Sequence, residues 1–174
     1  MSINESLHFF FLLISIILLA IMILFKTKIQ TLSRKLAFRA PFNSIRIILF
    51  KVGGVDVDYS VKIANHVIIN KNVIIDKNSI ISSFATIGPN TNISESVFVG
   101  EKSLISHTKI GNNTRVNTGS QVIGTESNRI SIGNNSTIGY YCILDGSGGL
   151  VIGDFVHIAS PSVGIWTHSS MDNA

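Results

Sequence analysis

From Val57 onward an aliphatic, β-branched residue returns at every sixth position: Val57, Ile63, Ile69, Ile75, Ile81, Ile87, Ile93, Val99 and Ile105. A period of six is neither the 3.6 of a helix nor the 2 of an ordinary strand. It describes a short strand followed by a corner, and a chain that turns a corner every six residues has to coil. After one five-residue step the phase resumes at Ile110, Val116 and Val122. A polar insertion, Thr125 to Arg129, then precedes Ile132, Ile138 and Leu144. A Gly-rich one, Gly146 to Gly149, precedes Ile152 and Ile158, and the step to Ile165 is seven residues and holds Pro161.

The positions around the aliphatic residue repeat as well. Four residues after it the side chain is small or β-branched, as at Val67, Ser79, Ala85, Ser103, Ser120 and Cys142. Three after it stand Asn72, Asn78, Asn90, Asn113 and Asn135. Asn is the non-Gly residue that best tolerates a left-handed backbone, which a tight corner demands. Three such hexads make a triangular turn, and each turn bonds to the next at the strand spacing of about 4.8 Å. The pattern predicts an all-β domain, a parallel β-helix of about six coils, with the aliphatic series stacked inside.

Ahead of the coil, Phe9 to Phe25 is a run of seventeen residues without a charge. At 1.5 Å per residue it reaches about 26 Å as a helix, the short end of what crosses a bilayer core. The segment before it carries Glu5 as its one formally charged side chain, which does not fit the positive start of a cleavable signal peptide. Lys26, Lys28, Arg34, Lys35, Arg39, Arg46 and Lys51 follow, and no acid appears between Glu5 and Asp56. By the positive-inside rule the C-terminal side is cytoplasmic. The expected layout is a membrane anchor over 1–26, a basic juxtamembrane linker or interfacial helix over 27–52, and the β-helix over 53–174. Ile29, Leu32 and Leu36 would form the apolar stripe of such a helix before Pro41 breaks it.

The net charge of +4 lies in this collar, since residues 52–174 hold seven Lys/Arg against nine Asp/Glu. A sequence pI near 9.4 is then attraction to anionic headgroups, and no nucleic-acid partner is expected. A single cysteine, Cys142, excludes an intramolecular disulfide framework. It occupies a small inward position, so a buried, inert thiol is expected. His66 and His107 fall at corners and should be solvated, and His157 should point outward. A zinc enzyme on such a coil needs three convergent histidines, and with no close pair no metal is expected.

The coil resembles the left-handed parallel β-helix of the hexapeptide-repeat acyltransferases. Within it, Ile132 to Ser170 is similar to the branch that moves acetyl groups from acetyl-CoA to sugar hydroxyls, the bacterial sugar and surface-polysaccharide O-acetyltransferases. In that branch a Thr-His or similar dipeptide follows a strand of the form IGD…IA. Here IGDFVHIA runs from Ile152 to Ala159, and Thr167-His168 follows. The resemblance implies His168 as general base, acetyl-CoA as acyl donor, a carbohydrate acceptor and a homotrimer. No residue is assigned to CoA. The turn Asp145 to Gly149 also recurs in relatives that act on polysaccharides. Such proteins continue for several coils beyond the histidine, whereas this sequence ends at Ala174. A truncated, non-catalytic scaffold on the membrane is therefore the alternative expectation.

The residues themselves favour the same chemistry. Imidazole titrates near neutrality and suits removal of a hydroxyl proton. If successive coils keep register, Leu144 lies under Ile165, Asp145 under Trp166 and Ser147 roughly under His168. Asp145 could then orient the imidazole, Trp166 and Ser147 could contact a sugar, and corner N–H groups could hold an oxyanion.

Overall fold

The computed structural model describes the backbone of residues 3–168 and the side chains of residues 15–168. Helix α1 (Ile3–Ala37) runs unbroken through the apolar stretch and past Lys26, and it is long and apolar enough to cross a membrane. Pro41 separates it from α2 (Asn43–Val52). The coils follow. The first holds β1 (Asp56–Val57), β2 (Lys62–Ile63) and β3 (Ile68–Ile69). The second holds β4 (Val73–Ile75), β5 (Ile80–Ile81) and β6 (Thr86–Ile87), and the third β7 (Thr91–Ile93), β8 (Phe98–Val99) and β9 (Leu104–Ser106). The fourth holds β10 (Thr108–Ile110), β11 (Arg115–Val116) and β12 (Gln121–Ile123). The fifth holds β13 (Ile130–Ile132), β14 (Thr137–Ile138) and β15 (Ile143–Asp145), and the sixth β16 (Leu150–Ile152), β17 (His157–Ile158) and β18 (Gly164–Trp166).

Every strand pairs in parallel with the strand three places away, which gives three six-stranded sheets around one prism. The expected interior is the observed one: from Val57 to Leu144 each member of the aliphatic series is at most 2% exposed. Ile152 is also buried, and Ile158 and Ile165 are half-buried in the last coil. Cys142 is fully buried.

The small positions explain how a prism this narrow tolerates hydroxyls. Buried Ser120 donates to the Gly139 carbonyl at 2.6 Å and accepts the Cys142 N–H at 3.1 Å. Ser136 does the same with Gly153 and Val156, at 2.9 and 3.0 Å. Each hydroxyl is a staple between adjacent coils, so its burial leaves nothing unpaired. The five Asn corners have φ between 52° and 61°. His66 shares this conformation, as do Phe84, Lys102, Tyr141 and Phe155, whose side chains disfavour it. His66 is exposed, as expected, and its ring also has aromatic partners. Its ring stacks on Phe84 at 5.1 Å and meets the edge of Phe38 at 5.1 Å.

Helix α2 closes the first coil. The Asn43 side chain accepts the Ile63 N–H at 2.8 Å and donates to the Val61 carbonyl at 2.9 Å, the pairing a further strand would have made with β2. Arg46, read above as part of the basic collar, is instead buried with Ile47 and Phe50. Its Nε donates to the Ile63 carbonyl at 2.8 Å, and Nη1 donates to the Ala40 carbonyl and Asn65 Oδ1, both at 2.7 Å. Burial lowers its pKa from the ordinary value, but a guanidinium starts so high that it stays charged. Arg34 ties α1 to the same end by donating to the Gly53 carbonyl. Ile29, Leu32 and Leu36 remain exposed on α1.

Candidate active site

The corner between the third sheet and the first collects most of the chain's departures from the six-residue step. It holds His107, the Thr125–Arg129 insertion, the Gly146–Gly149 turn and, after β18, Thr167 and His168. Strands β15 and β18 pair in the expected register, Leu144 with Ile165 and Asp145 with Trp166. Beyond them the Thr167 N–H and Oγ1 both donate to the Asp145 carbonyl, at 3.1 and 3.0 Å.

The turn folds back on its own carboxylate. Asp145 Oδ1 accepts the Ser147 N–H at 2.9 Å and also the Ser147 hydroxyl. Ser147 Oγ lies 3.1 Å from His168 Nδ1, while Asp145 Oδ1 is 3.6 Å from the same nitrogen. Ser147 has one hydroxyl proton and gives it to the carboxylate. Toward the imidazole its oxygen can then only accept, which puts the ring proton on Nδ1 and leaves the Nε2 lone pair free. The two bonds from Ser147 hold the Asp145 carboxyl below the usual carboxylate pKa, with the nearby imidazole adding to the effect. The carboxylate is therefore ionised at neutral pH. The site is wet: the His168 side chain is 52% exposed and that of Asp145 30%.

Ser147 sits between Asp145 and His168 as a bridge, engaged by both. The turn also offers no oxyanion donors, because each of its N–H groups is already used. Gly146 donates to Ile123 O, Ser147 to Asp145 Oδ1, Gly148 to Thr167 Oγ1 and Gly149 to Gly146 O, all at 2.8–2.9 Å. Trp166 is exposed, with its ring folded over Gly164.

One residue escaped the sequence reading. Asn128 Nδ2 donates to the Ser147 carbonyl at 2.6 Å, so the insertion of the fourth coil props the turn of the fifth. The usable signal was two insertions at the same corner, one coil apart. His107 lies at this corner two coils before the Asp145 turn, its Nδ1 2.9 Å from Ser106 Oγ. His157 is exposed on β17. Among the described residues no group of three or more His, Cys, Asp or Glu could hold a metal ion.

No family model matches the sequence, and no curated protein matches it. Solved structures do. A variant of perosamine N-acetyltransferase from Caulobacter crescentus, in complex with CoA and GDP-perosamine, is 18% identical with a TM-score of 0.37, over 62% of this chain and 50% of that one. The acetyltransferase domain of PglB from Neisseria gonorrhoeae, in complex with acetyl coenzyme A, is 15% identical with a TM-score of 0.31, over 68% and 63%. A serine acetyltransferase from Neisseria gonorrhoeae is 15% identical with a TM-score of 0.25, over 67% and 44%. The chain thus spans about half to three fifths of the first of these similar proteins.

Proposed function

We propose that this chain is an acetyl-CoA-dependent O-acetyltransferase acting on a hydroxyl of a sugar or surface-polysaccharide precursor. The observation that carries the reading is the Asp145–Ser147–His168 relay, which leaves Nε2 of His168 as a free base on an exposed corner. The resemblance of the IGDFVHIA and Thr-His segments to those of sugar O-acetyltransferases supports the substrate class. Nε2 takes the proton of the acceptor hydroxyl as its oxygen attacks the thioester carbonyl. The positive charge that develops on the ring is balanced through Ser147 by the Asp145 carboxylate. As the carbon–sulfur bond breaks, the imidazolium returns the proton to the departing thiolate, so the products are an acetyl ester and free CoA.

In this reading α1 anchors the chain in the cytoplasmic membrane with the coil on the cytoplasmic side, where acetyl-CoA is found, and three prisms assemble into a trimer. The test is thiol release from acetyl-CoA with a panel of sugar acceptors. His168→Ala is expected to lower turnover by ~10²–10⁴-fold, the usual loss for a general base. Asp145→Asn is expected to lower it less, since water partly replaces an orienting group. Full activity in His168→Ala would remove the base from the mechanism. No thiol release by the unaltered chain with any acceptor would favour the non-catalytic scaffold.

A further inference from the structure

A half-open cleft of about 650 Å³ lies between the last turns of α1 and strand β3, remote from the His168 corner. One part of its lining is apolar: Leu36, Phe38, Ile68 and Ile69. The other part is basic, with Arg34, Lys35 and Arg39, and no acid lines it. Arg34 is partly engaged by Gly53 and Thr31. Lys35 and Arg39 are exposed, and among the described residues neither has an ion-pair partner. A hydrophilic anion would satisfy the charges and leave the apolar wall wet. A neutral apolar ligand would cover the wall and leave the charges unmatched. An anionic amphiphile uses both.

Helix length says where that amphiphile comes from. The 35 residues of α1 extend about 52 Å, against 40–45 Å for a bilayer with its headgroups. A helix that enters at one surface therefore leaves the headgroup layer of the other at about residues 30–33, so the cleft, whose lining begins at Thr31, opens at that layer's outer edge. The exposed stripe of Ile29, Leu32 and Leu36 leads along α1 from the apolar run to the cleft.

We propose that this cleft holds the phosphate-bearing headgroup and first methylenes of an anionic membrane lipid, with Lys35 and Arg39 on the phosphate and Leu36 and Ile68 against the methylenes. The proposal rests on the anchor reading above and is independent of the acetyltransferase chemistry.

The experiment uses the full chain in neutral detergent, titrated by calorimetry with dihexanoyl phosphatidylglycerol, dihexanoyl phosphatidylcholine, glycerol phosphate and inorganic phosphate. The phosphatidylglycerol is expected to bind most tightly. Lys35→Gln and Arg39→Gln, both at exposed positions, should each weaken it by about five-fold, the usual effect of one cation near an anionic surface. Leu36→Gln should weaken the lipid and leave inorganic phosphate unaffected. Equal binding of the two lipids, inorganic phosphate binding as tightly as the lipid, or a Lys35→Gln/Arg39→Gln double variant with unchanged affinity would each overturn the proposal. The probes reach the cleft from solution, so failure here is distinct from failure of the anchor, which is read from recovery of the chain without detergent. Thiol release plays no part in either readout.

Discussion

Gly148→Ala tests the candidate site without touching any residue assigned to the chemistry. A methyl group built at Gly148 falls 2.0 Å from the Thr167 carbonyl oxygen, where real contacts stay beyond 3.0 Å. Both partners are backbone, so the rung has to open by roughly 1 Å. Three hydrogen bonds hold that rung, the Thr167 N–H to Asp145 O at 3.1 Å, Thr167 Oγ1 to the same carbonyl at 3.0 Å and the Gly148 N–H to Thr167 Oγ1 at 2.9 Å. All are stretched out of range by such a shift. At ~1 kcal/mol each the last coil loses ~3 kcal/mol of local stability. The larger effect is on His168, one residue beyond the displaced carbonyl. A misplacement of ~1 Å costs on the order of 10²-fold in rate. Turnover of acetyl-CoA reports the second figure, and the ¹⁵N shifts of the His168 imidazole report the altered contact to Ser147 whether or not turnover is measurable. Gly153→Ala is the control, because a methyl there meets nothing within 4 Å. Unchanged turnover and unchanged imidazole shifts in Gly148→Ala would refute the view that the turn positions the histidine.

Arg46→Met keeps much of the side-chain volume but strands the buried carbonyls of Ile63 and Ala40. At ~1–3 kcal/mol per unpaired group it should cost ~2–6 kcal/mol, read as a lower urea midpoint at constant slope. A loss below ~1 kcal/mol would show that α2 does not close the first coil through this residue. Asp145 has a folded pKa below its unfolded value because of its bonds from Ser147. Its contribution to stability is therefore fully present above the unfolded value of about 3.9 and disappears as pH falls through the folded pKa. The stability difference between the chain and Asp145→Asn should shrink as pH falls below about 4. A difference that grows over that acid range would contradict the assigned direction.

The interior of the coil was legible because the constraint is local and repeated. Ile63, Ile81 and Val99 occupy the same place in successive coils, and Asn at five corners marks a backbone that few other residues accept. Phe84 and Tyr141 adopt the same backbone with no chemical reason of their own to do so. Their neighbours in the stack impose it. Helix α2 was harder to read because it is apolar on more than one face: Ile47 and Phe50 are buried while Ile45, Ile48 and Val52 are exposed. Arg46 looked like a surface charge since its partners, backbone carbonyls of the coil and its approach, exist only after folding. At the site, the constant period was enough to place Asp145 beside Trp166 across a gap of 21 residues. It also put Ser147 roughly under His168, but it could not give the turn curling back on Asp145, nor place Asn128, which lies in an insertion outside the period.

Stacked coils also measure distance. Strand β3, at the cleft beside α1, and strand β18, just before His168, stand at opposite ends of one sheet with four strands between them. Five spacings of about 4.8 Å set the His168 corner roughly 24 Å along the axis from the cleft. Under the proposed lipid site and base, the number of coils would set how far an acceptor tethered at the cleft has to reach. Inserting one whole coil between cleft and histidine would lengthen that reach by a single spacing and keep the histidine on the same corner. Inserting one hexad would swing the histidine a third of a turn around the prism, onto a face that points elsewhere.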